Sequence, residues 1–318
     1  MSKPLASLSL DMDNQWSYMK IHGEEGWESY PSYLEIFVPY VLKVLKELDL
    51  TITFFIVGQD AAFEENHRFI KMIADAGHEI ANHSFKHETW LHLYTKEELR
   101  EEIDKAHNII KEVSGKEPIG FRGPGFSWSK TLLEVLAERG YTYDASTLPT
   151  VIGPLARMYY FKTSNLSKQE KEDRKEIFGK FSDGFRKLKP YFWKLGANDR
   201  LLEIPVTTMP LFRIPFHLSY LLYLSNISTG LAMLYLKIAI FLCKLTRTEP
   251  SFLLHPLDLI GGDQITSLAF FPGMNISSKR KIFIFKKVMK VLERNFKLVP
   301  MDEHVNAIMS RGKLKYVV

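Results

Sequence analysis

Apolar residues in the first half of the chain change spacing repeatedly, from every second position to every third or fourth and back. Such switching predicts strands and helices in turn. LASLSLDM, from Leu5, reads as a strand, and PSYLEIFVPYVLKVLKELD follows with Leu34, Phe37, Val41, Val44, Leu45 and Leu48 on one helical stripe. TITFFIVG reads as a buried strand and RFIKMIADAG as a helix closed by Gly77, whose tolerance of positive φ suits a C-cap. HEIANHS is the third strand. In the next helix, TKEELREEIDKAHNIIKEVSG, Thr95 is the cap and Glu98 completes a capping box. PIGFRGPG, the helix SKTLLEVLAERG and the strand YTYDAS carry the pattern to about Ser146. This order predicts an α/β fold on a parallel sheet, open or closed into a barrel.

The regularity stops between about Leu148 and Leu201, where SKQEKEDRKEIFGKFSDGFRKLKPYFW is charged and then aromatic. No strand is expected there, and the segment reads as an insertion over one face. Strands resume with LLEIPVTTM at Leu201 and SFLLHPLDL at Ser251. The chain, 1–318, therefore reads as one domain with insertions at about 148–200 and 212–248. The second insertion is the most apolar stretch and carries no charge from Leu218 to Leu236, about the length a bilayer needs. SNISTG interrupts it, and strands of one barrel on either side exclude a true span. Three readings stay open: two helices buried against the barrel, a hydrophobic lid over the site, or a peripheral membrane contact through 216–245.

With 318 residues, 46% of them hydrophobic, the chain can bury one large α/β core. Its single cysteine, Cys243, excludes an internal disulfide and a cysteine-built zinc site, so any metal must use His, Asp or Glu. A net charge of +5, with the lysines dispersed, gives little reason to expect nucleic acid as a partner. MSKPLASLSLDMD holds no apolar run of signal-peptide length, which leads us to expect a cytoplasmic protein.

Functional residues of α/β sheets gather at the C-terminal ends of the strands. Asp11 and Asp13, His83 and His87, Arg122 and His255 all fall there. The four-residue spacing in NHSFKH places both imidazoles on one face of a helical turn, where they can share a cation with an aspartate from another strand end. A metal hydrolase needs one carboxylate on the ion and a second free to take a proton from water, and Asp11-x-Asp13 can supply both. Arg122 can pair with the free carboxylate and orient it. Gly125, in FRGPG, can aim its amide at an oxyanion. His255 is placed to act as an acid, with Leu253 on an apolar wall.

SLDMDN, NHSFKH, FRGPGF and LLHP, in this order, resemble the polysaccharide deacetylase family, the NodB-homology carbohydrate esterases. The resemblance covers about Leu5–Ser146 and Leu201–Asp258. It implies a distorted (β/α)7 barrel with a helical apolar insertion, and metal-dependent hydrolysis of an N-acetyl or N-formyl group on an amino sugar. It further implies Asp11 as base, Asp13, His83 and His87 as ligands of one divalent ion (zinc first, cobalt or nickel next), Arg122 holding Asp11, and His255 as acid. The carboxylate that supports the acid histidine is expected to be Asp144 or Glu203. The Asp-x-Asp form and the apolar segment are similar to the subgroup that includes a deformylase of a polyprenyl-phosphate-linked amino sugar, which suggests a lipid-linked N-acylated saccharide as substrate. The alternatives are an allantoinase-like amide hydrolase of the same fold and a catalytically inactive glycolipid-binding protein.

Overall fold

The computed structural model describes residues 3–174, 181–196, 200–312 and 314–317, so the expected 148–200 insertion lies partly outside the described residues. The strands are β1 (Leu5–Met12), β2 (Thr53–Ile56), β3 (Glu79–Asn82), β4 (Gly120–Phe121) and β5 (Tyr143–Asp144), then β6 (Tyr191–Lys194), β7 (Arg200–Glu203), β8 (Ser251–Leu254), β9 (Lys297–Val299) and β10 (Tyr316–Val317). Helices α1 (Gln15–His22), α2 (Leu34–Glu47), α3 (Gly58–Ala62), α4 (Glu64–Asp75), α5 (Lys96–Ser114) and α6 (Lys130–Glu138) belong to the first half. The second half carries α7 (Gly153–Thr163), α8 (Lys168–Asp173), α9 (Leu218–Ile227), α10 (Thr229–Leu245), α11 (Ser278–Asn295) and α12 (Met301–Arg311).

One sheet runs in the order β10-β6-β7-β5-β4-β3-β2-β1-β8, with β9 also paired to β1. The pairings are parallel except that of β6 with β7. Between β7 and β8 the wall is bridged without a ladder, because the Thr207 amide donates to the Ser251 carbonyl at 3.0 Å and the Ser251 amide to Thr207 Oγ1 at 2.9 Å. The parallel sheet expected from the sequence is present, and among the described residues no strand ladder closes it into a barrel.

Period-two alternation sorts each strand into two faces. Leu8, Leu10 and Met12 of β1 join the outer core with Leu34, Phe37, Val41, Val44 and Leu45 of α2, the stripe expected from the sequence. Each such fully buried side chain contributes roughly 1.5–3 kcal/mol. Phe55, Ala81, Tyr143, Ala145, Leu202 and Ile204 form an inner cluster with Met301, Val305 and Ile308 of α12. That helix covers the strand starts: the Met301 amide donates to Thr53 Oγ1 at 2.7 Å and the Asp302 amide to Glu79 Oε2 at 2.9 Å. The opposite side, at the strand ends, is left for the site. A Cβ at Gly120 would lie 1.9 Å from the Tyr143 ring, so only glycine fits beneath that side chain.

Three expectations are corrected. The stretch between Leu148 and Leu201 does contain a strand, β6, which pairs antiparallel with β7; four residues set among lysines offer too few alternations to read. The short helix α1 begins at the Asn14 capping box directly after the DMD motif and was not expected at all. Of the three readings left open for the apolar insertion, full burial is the one that fails. In α10, Leu236, Ala239, Ile240 and Cys243 face the core, while Leu231, Leu234, Ile238, Phe241 and Leu245 are exposed. The α10 helix is long and apolar enough to cross a membrane by length and composition. Yet β7 and β8 share one sheet, and the ten residues of α9, about 15 Å long, are too short for a return crossing.

Candidate active site

The alternation of β1 explains the spacing of its two aspartates. Met12 points into the outer core, so Asp11 and Asp13 on either side of it share the inner face at the strand ends. Asp11 Oδ1 accepts from Arg122 Nη1 at 2.5 Å. Arg122 follows β4 and is fully buried; it also donates to Ser9 Oγ at 3.0 Å and the Ala145 carbonyl at 3.1 Å, and stacks 4.1 Å from the Phe55 ring. A guanidinium so enclosed is fixed by its partners, because an unpaired buried cation would cost several kcal/mol.

Asp13 lies with His83 and His87 rather than with Arg122. Its Oδ1 is 2.9 Å from His87 Nε2 and 3.5 Å from His83 Nε2, and all three side chains are buried. The two histidines are not on a helical turn, as their spacing suggested. Ser84 and His87 both have positive φ, 62° and 53°, which a right-handed helix excludes. The loop is held instead by side chains. Glu102 accepts from the amides of Phe85 and Lys86 at 2.8 and 2.7 Å, and Asn82 accepts from the Ser84 amide at 2.8 Å.

His83 Nδ1 lies 2.7 Å from the Arg122 carbonyl, which can only accept, so the proton is on Nδ1 and Nε2 presents a lone pair. That lone pair faces Asp13 Oδ1, a buried oxygen with no hydrogen-bond partner. A cation between the two would satisfy both. Tetrahedral zinc with bonds of about 2.0–2.1 Å sets its ligand atoms about 3.3 Å apart, within the spread found here, so the three residues fit such an ion. Burial alone would raise the Asp13 carboxyl, but His87 and His83 outweigh it and hold the group well below the usual carboxylate range. Burial pushes the His87 imidazole down, toward the neutral form a ligand requires.

Behind this cluster the chain is pinned residue by residue. The Tyr33 hydroxyl donates to the Asp13 carbonyl. Asn14, the cap of α1, donates to Asp60 Oδ1 at 2.7 Å, and the Trp16 indole donates to the same oxygen at 2.8 Å. Burial lifts the Asp60 carboxyl to about 7, against the two donors that lower it.

His255 follows β8. Its amide donates to Asp258 Oδ2 at 2.9 Å and its Nδ1 lies 3.6 Å from the same oxygen. Burial pushes this imidazole down, but Asp258, then Asp11 and Asp13, more than offset it and lift it to about 9. The carboxylate beside His255 is thus Asp258; Asp144 and Glu203, the two expected there, lie elsewhere. Those two point away from the inner face and share a separate buried network: Glu203 accepts from Thr147 and from the Trp193 indole, and Asp144 from Ser146. Burial raises both carboxyls, Glu203 well above its usual range. Leu253 is buried on β8 in register with Ser9. Gly125 sits in a 3-10 turn with φ 59°, a conformation glycine adopts freely, and the turn is tied down where the Gly123 amide donates to Ser146 Oγ at 2.8 Å.

His217, which no sequence motif brought to the site, is buried with its ring 6.1 Å from that of His255. Burial drives this imidazole down to about 3, so it is neutral. It also stands at the N-terminus of α9, which joins the apolar insertion to the site. The sequence signals were modest: a polar residue opening an apolar helix, and the three-residue step from His255 to Asp258 in HPLD.

Residues 26–143 match the family model "Polysaccharide deacetylase". The span includes His83, His87, Arg122 and Gly125. A peptidoglycan deacetylase of Helicobacter pylori is 32% identical over 132 residues, 41% of this chain and 42% of that protein. The peptidoglycan-N-acetylmuramic acid deacetylase of Bacillus subtilis is 32% identical over 106 residues, 33% of this chain and 39% of that one. The chain thus spans less than half the length of these curated relatives. A solved structure from Mycobacterium smegmatis, provisionally named a polysaccharide deacetylase, shares the fold with a TM-score of 0.60 at 18% identity, covering 100% of this chain and 94% of that one. Residues 26–143 are thus similar to the polysaccharide deacetylase family, and the motifs and the fold agree with that likeness.

Proposed function

We propose that the protein is a metal-dependent hydrolase that removes the acetyl group from the nitrogen of an amino sugar. The observation that carries this reading is the division of labour between the two aspartates: Asp13 turned to His83 and His87, Asp11 held by Arg122. Asp13, His83 and His87 would hold one divalent ion, zinc first and cobalt or nickel next. When bound, it supplies Lewis acidity to the amide carbonyl and makes water a stronger acid. Asp11 takes the proton of the attacking water as the carbon–oxygen bond forms. The Gly125 amide stabilises negative charge on the former carbonyl oxygen, and Leu253 lines the wall beside the acyl group. His255, protonated and oriented by Asp258, gives its proton to the amine nitrogen as the carbon–nitrogen bond breaks. Water is consumed, and acetate and a free amine are released.

A lipid-linked saccharide is the substrate class we favour. The support is the α9–α10 hairpin, where residues 218–247 contain no Asp or Glu, and the exposed apolar row of α10 is accompanied by exposed Lys237, Lys244 and Arg247. An apolar face flanked by cations suits an anionic lipid surface. Because His217 opens α9 beside His255, such a surface would lie next to the site mouth. Acetate release from N-acetylglucosamine oligomers, free and lipid-linked, tests this reading. Preference for the lipid-linked form supports it, and hydrolysis of a cyclic ureide instead would transfer the assignment to the allantoinase-like alternative.

A further inference from the structure

Behind the HPLD turn stands a buried cation that the proposed reaction does not use. Lys281, in the first turn of α11, is 1% exposed. Its Nζ donates to the Leu257 carbonyl at 2.5 Å and to the Ile260 carbonyl at 2.8 Å, with Met274 Sδ at 3.5 Å. An ammonium withdrawn from water is costly unless its protons find acceptors, and two of the three go to carbonyls on either side of Asp258 in sequence. Burial pushes this ammonium down to about 8, and the charges of Asp258 and then Asp263 resist the fall. Both carboxylates are engaged elsewhere: Asp258 Oδ2 accepts from the His255 amide at 2.9 Å, and Asp263 Oδ1 from the Ser278 amide and hydroxyl at 2.8 and 2.9 Å.

The rest of the segment is keyed to the same helix end. The Gly261 amide donates to Ser278 Oγ at 2.8 Å and the Gly262 amide to the Met274 carbonyl at 2.9 Å. A Cβ at Gly261 would lie 2.3 Å from the Ile276 carbonyl oxygen, so the approach is too close for any other residue. What these contacts hold is the register of Asp258. One of its oxygens serves both the His255 amide and, at 3.6 Å, the ring, so a small rotation of the turn would take it from the ring. An apolar side chain of similar length would fill the same volume without burying a charge, but it would leave both carbonyls without a donor. We infer that Lys281 is a positioning residue for His255: by binding the carbonyls of Leu257 and Ile260 it holds Asp258 against the imidazole. Calling His255 the acid rests on the deacetylase reading, whereas the positioning does not.

The test reads His255 directly, by long-range nitrogen–proton NMR of protein carrying labelled histidine. Loss of a positive charge alone would raise the ring's proton affinity, so a fall isolates the geometric role. In Lys281→Met the His255 transition is expected about one pH unit lower than in the wild type, with kcat for acetate release reduced about tenfold and KM within about twofold. Lys281→Gln keeps a donor for one carbonyl; it should fall between the two, and it carries the test if Lys281→Met does not fold. Ser278→Ala loosens the same junction while sparing both carbonyls, and should leave the transition within about 0.3 pH units of the wild type. Asp11, paired with Arg122, and Asp13 face the ring from the end of β1, and neutral His217 from α9; all are unchanged in these variants. An unmoved or raised transition in the folded lysine variants, or an equal fall in Ser278→Ala, would overturn the assignment. A lowered transition together with no acetate release by the zinc-loaded wild type would support the positioning role and remove the deacetylase reading.

Discussion

Arg122 and Asp11 meet at 2.5 Å, from strand ends 111 residues apart in sequence. Both are buried, so the charge of each depends on the other. Replacing Arg122 by Met should destabilise the protein by about 3–5 kcal/mol, because Asp11 would be left buried and unpaired. Combining Asp11→Asn with it should recover part of that loss. Denaturant melts of the four proteins measure the coupling, and additivity within about 0.5 kcal/mol would contradict the pairing.

The acid role proposed for His255 predicts a pH signature. Its proton is held up to about 9, so kcat should fall as pH rises through that value. Asp258→Asn removes the largest raising influence, and the alkaline limb should move down by about one to two units. The linkage has the same sign: with the folded value above the ordinary 6.5, the stabilisation from charged His255 is complete below 6.5 and lost as pH climbs toward 9. A limb that stayed in place in Asp258→Asn would assign it to another group.

Glu203 gives a prediction of opposite character. Its carboxyl is pushed well above the usual range by burial and by Asp144, while Thr147 and Trp193 donate to it. Glu203→Gln keeps an acceptor and needs no ionisation, so it should be neutral or stabilising, more so as pH rises. Glu203→Ala should cost about 1–3 kcal/mol by stranding the buried donors. Thermal melts at pH 5 and pH 8 separate the two, and equal losses would mean that packing alone matters there.

The exposed row on α10 predicts lipid binding. Leu234→Glu with Phe241→Glu should reduce sedimentation with anionic liposomes at least fivefold while leaving the melting temperature within a few degrees, since both side chains are exposed in the free protein. Unchanged sedimentation would remove the hairpin as the contact.

Much of this was legible in the sequence where local rules agree with the fold. Asp11 and Asp13 stand together at the end of the first strand, the α2 stripe came out buried except for Leu48, which is half-buried just past the helix, and the Thr95–Glu98 capping box is present. The rest depended on contacts no local rule encodes. His83 and His87 converge through two left-handed residues and the distant Glu102, not through helical periodicity. His217 reaches the site only because α9 docks beside β8, and Asp258 displaces Asp144 and Glu203 because β5 and β7 turn those carboxylates to the outer face. The α10 helix was ambiguous for a physical reason: it is apolar nearly all round, and composition cannot say which side meets the core.

The central claim is best tested by acetate release from an N-acetylglucosamine oligomer, with protein stripped of metal and then titrated with zinc. The account predicts no turnover when stripped, full recovery near one equivalent, loss of zinc binding in His83→Ala, and in Asp11→Asn retained zinc with turnover reduced about 10²–10⁴-fold. Full activity in the stripped protein, or in Asp11→Asn, would contradict it.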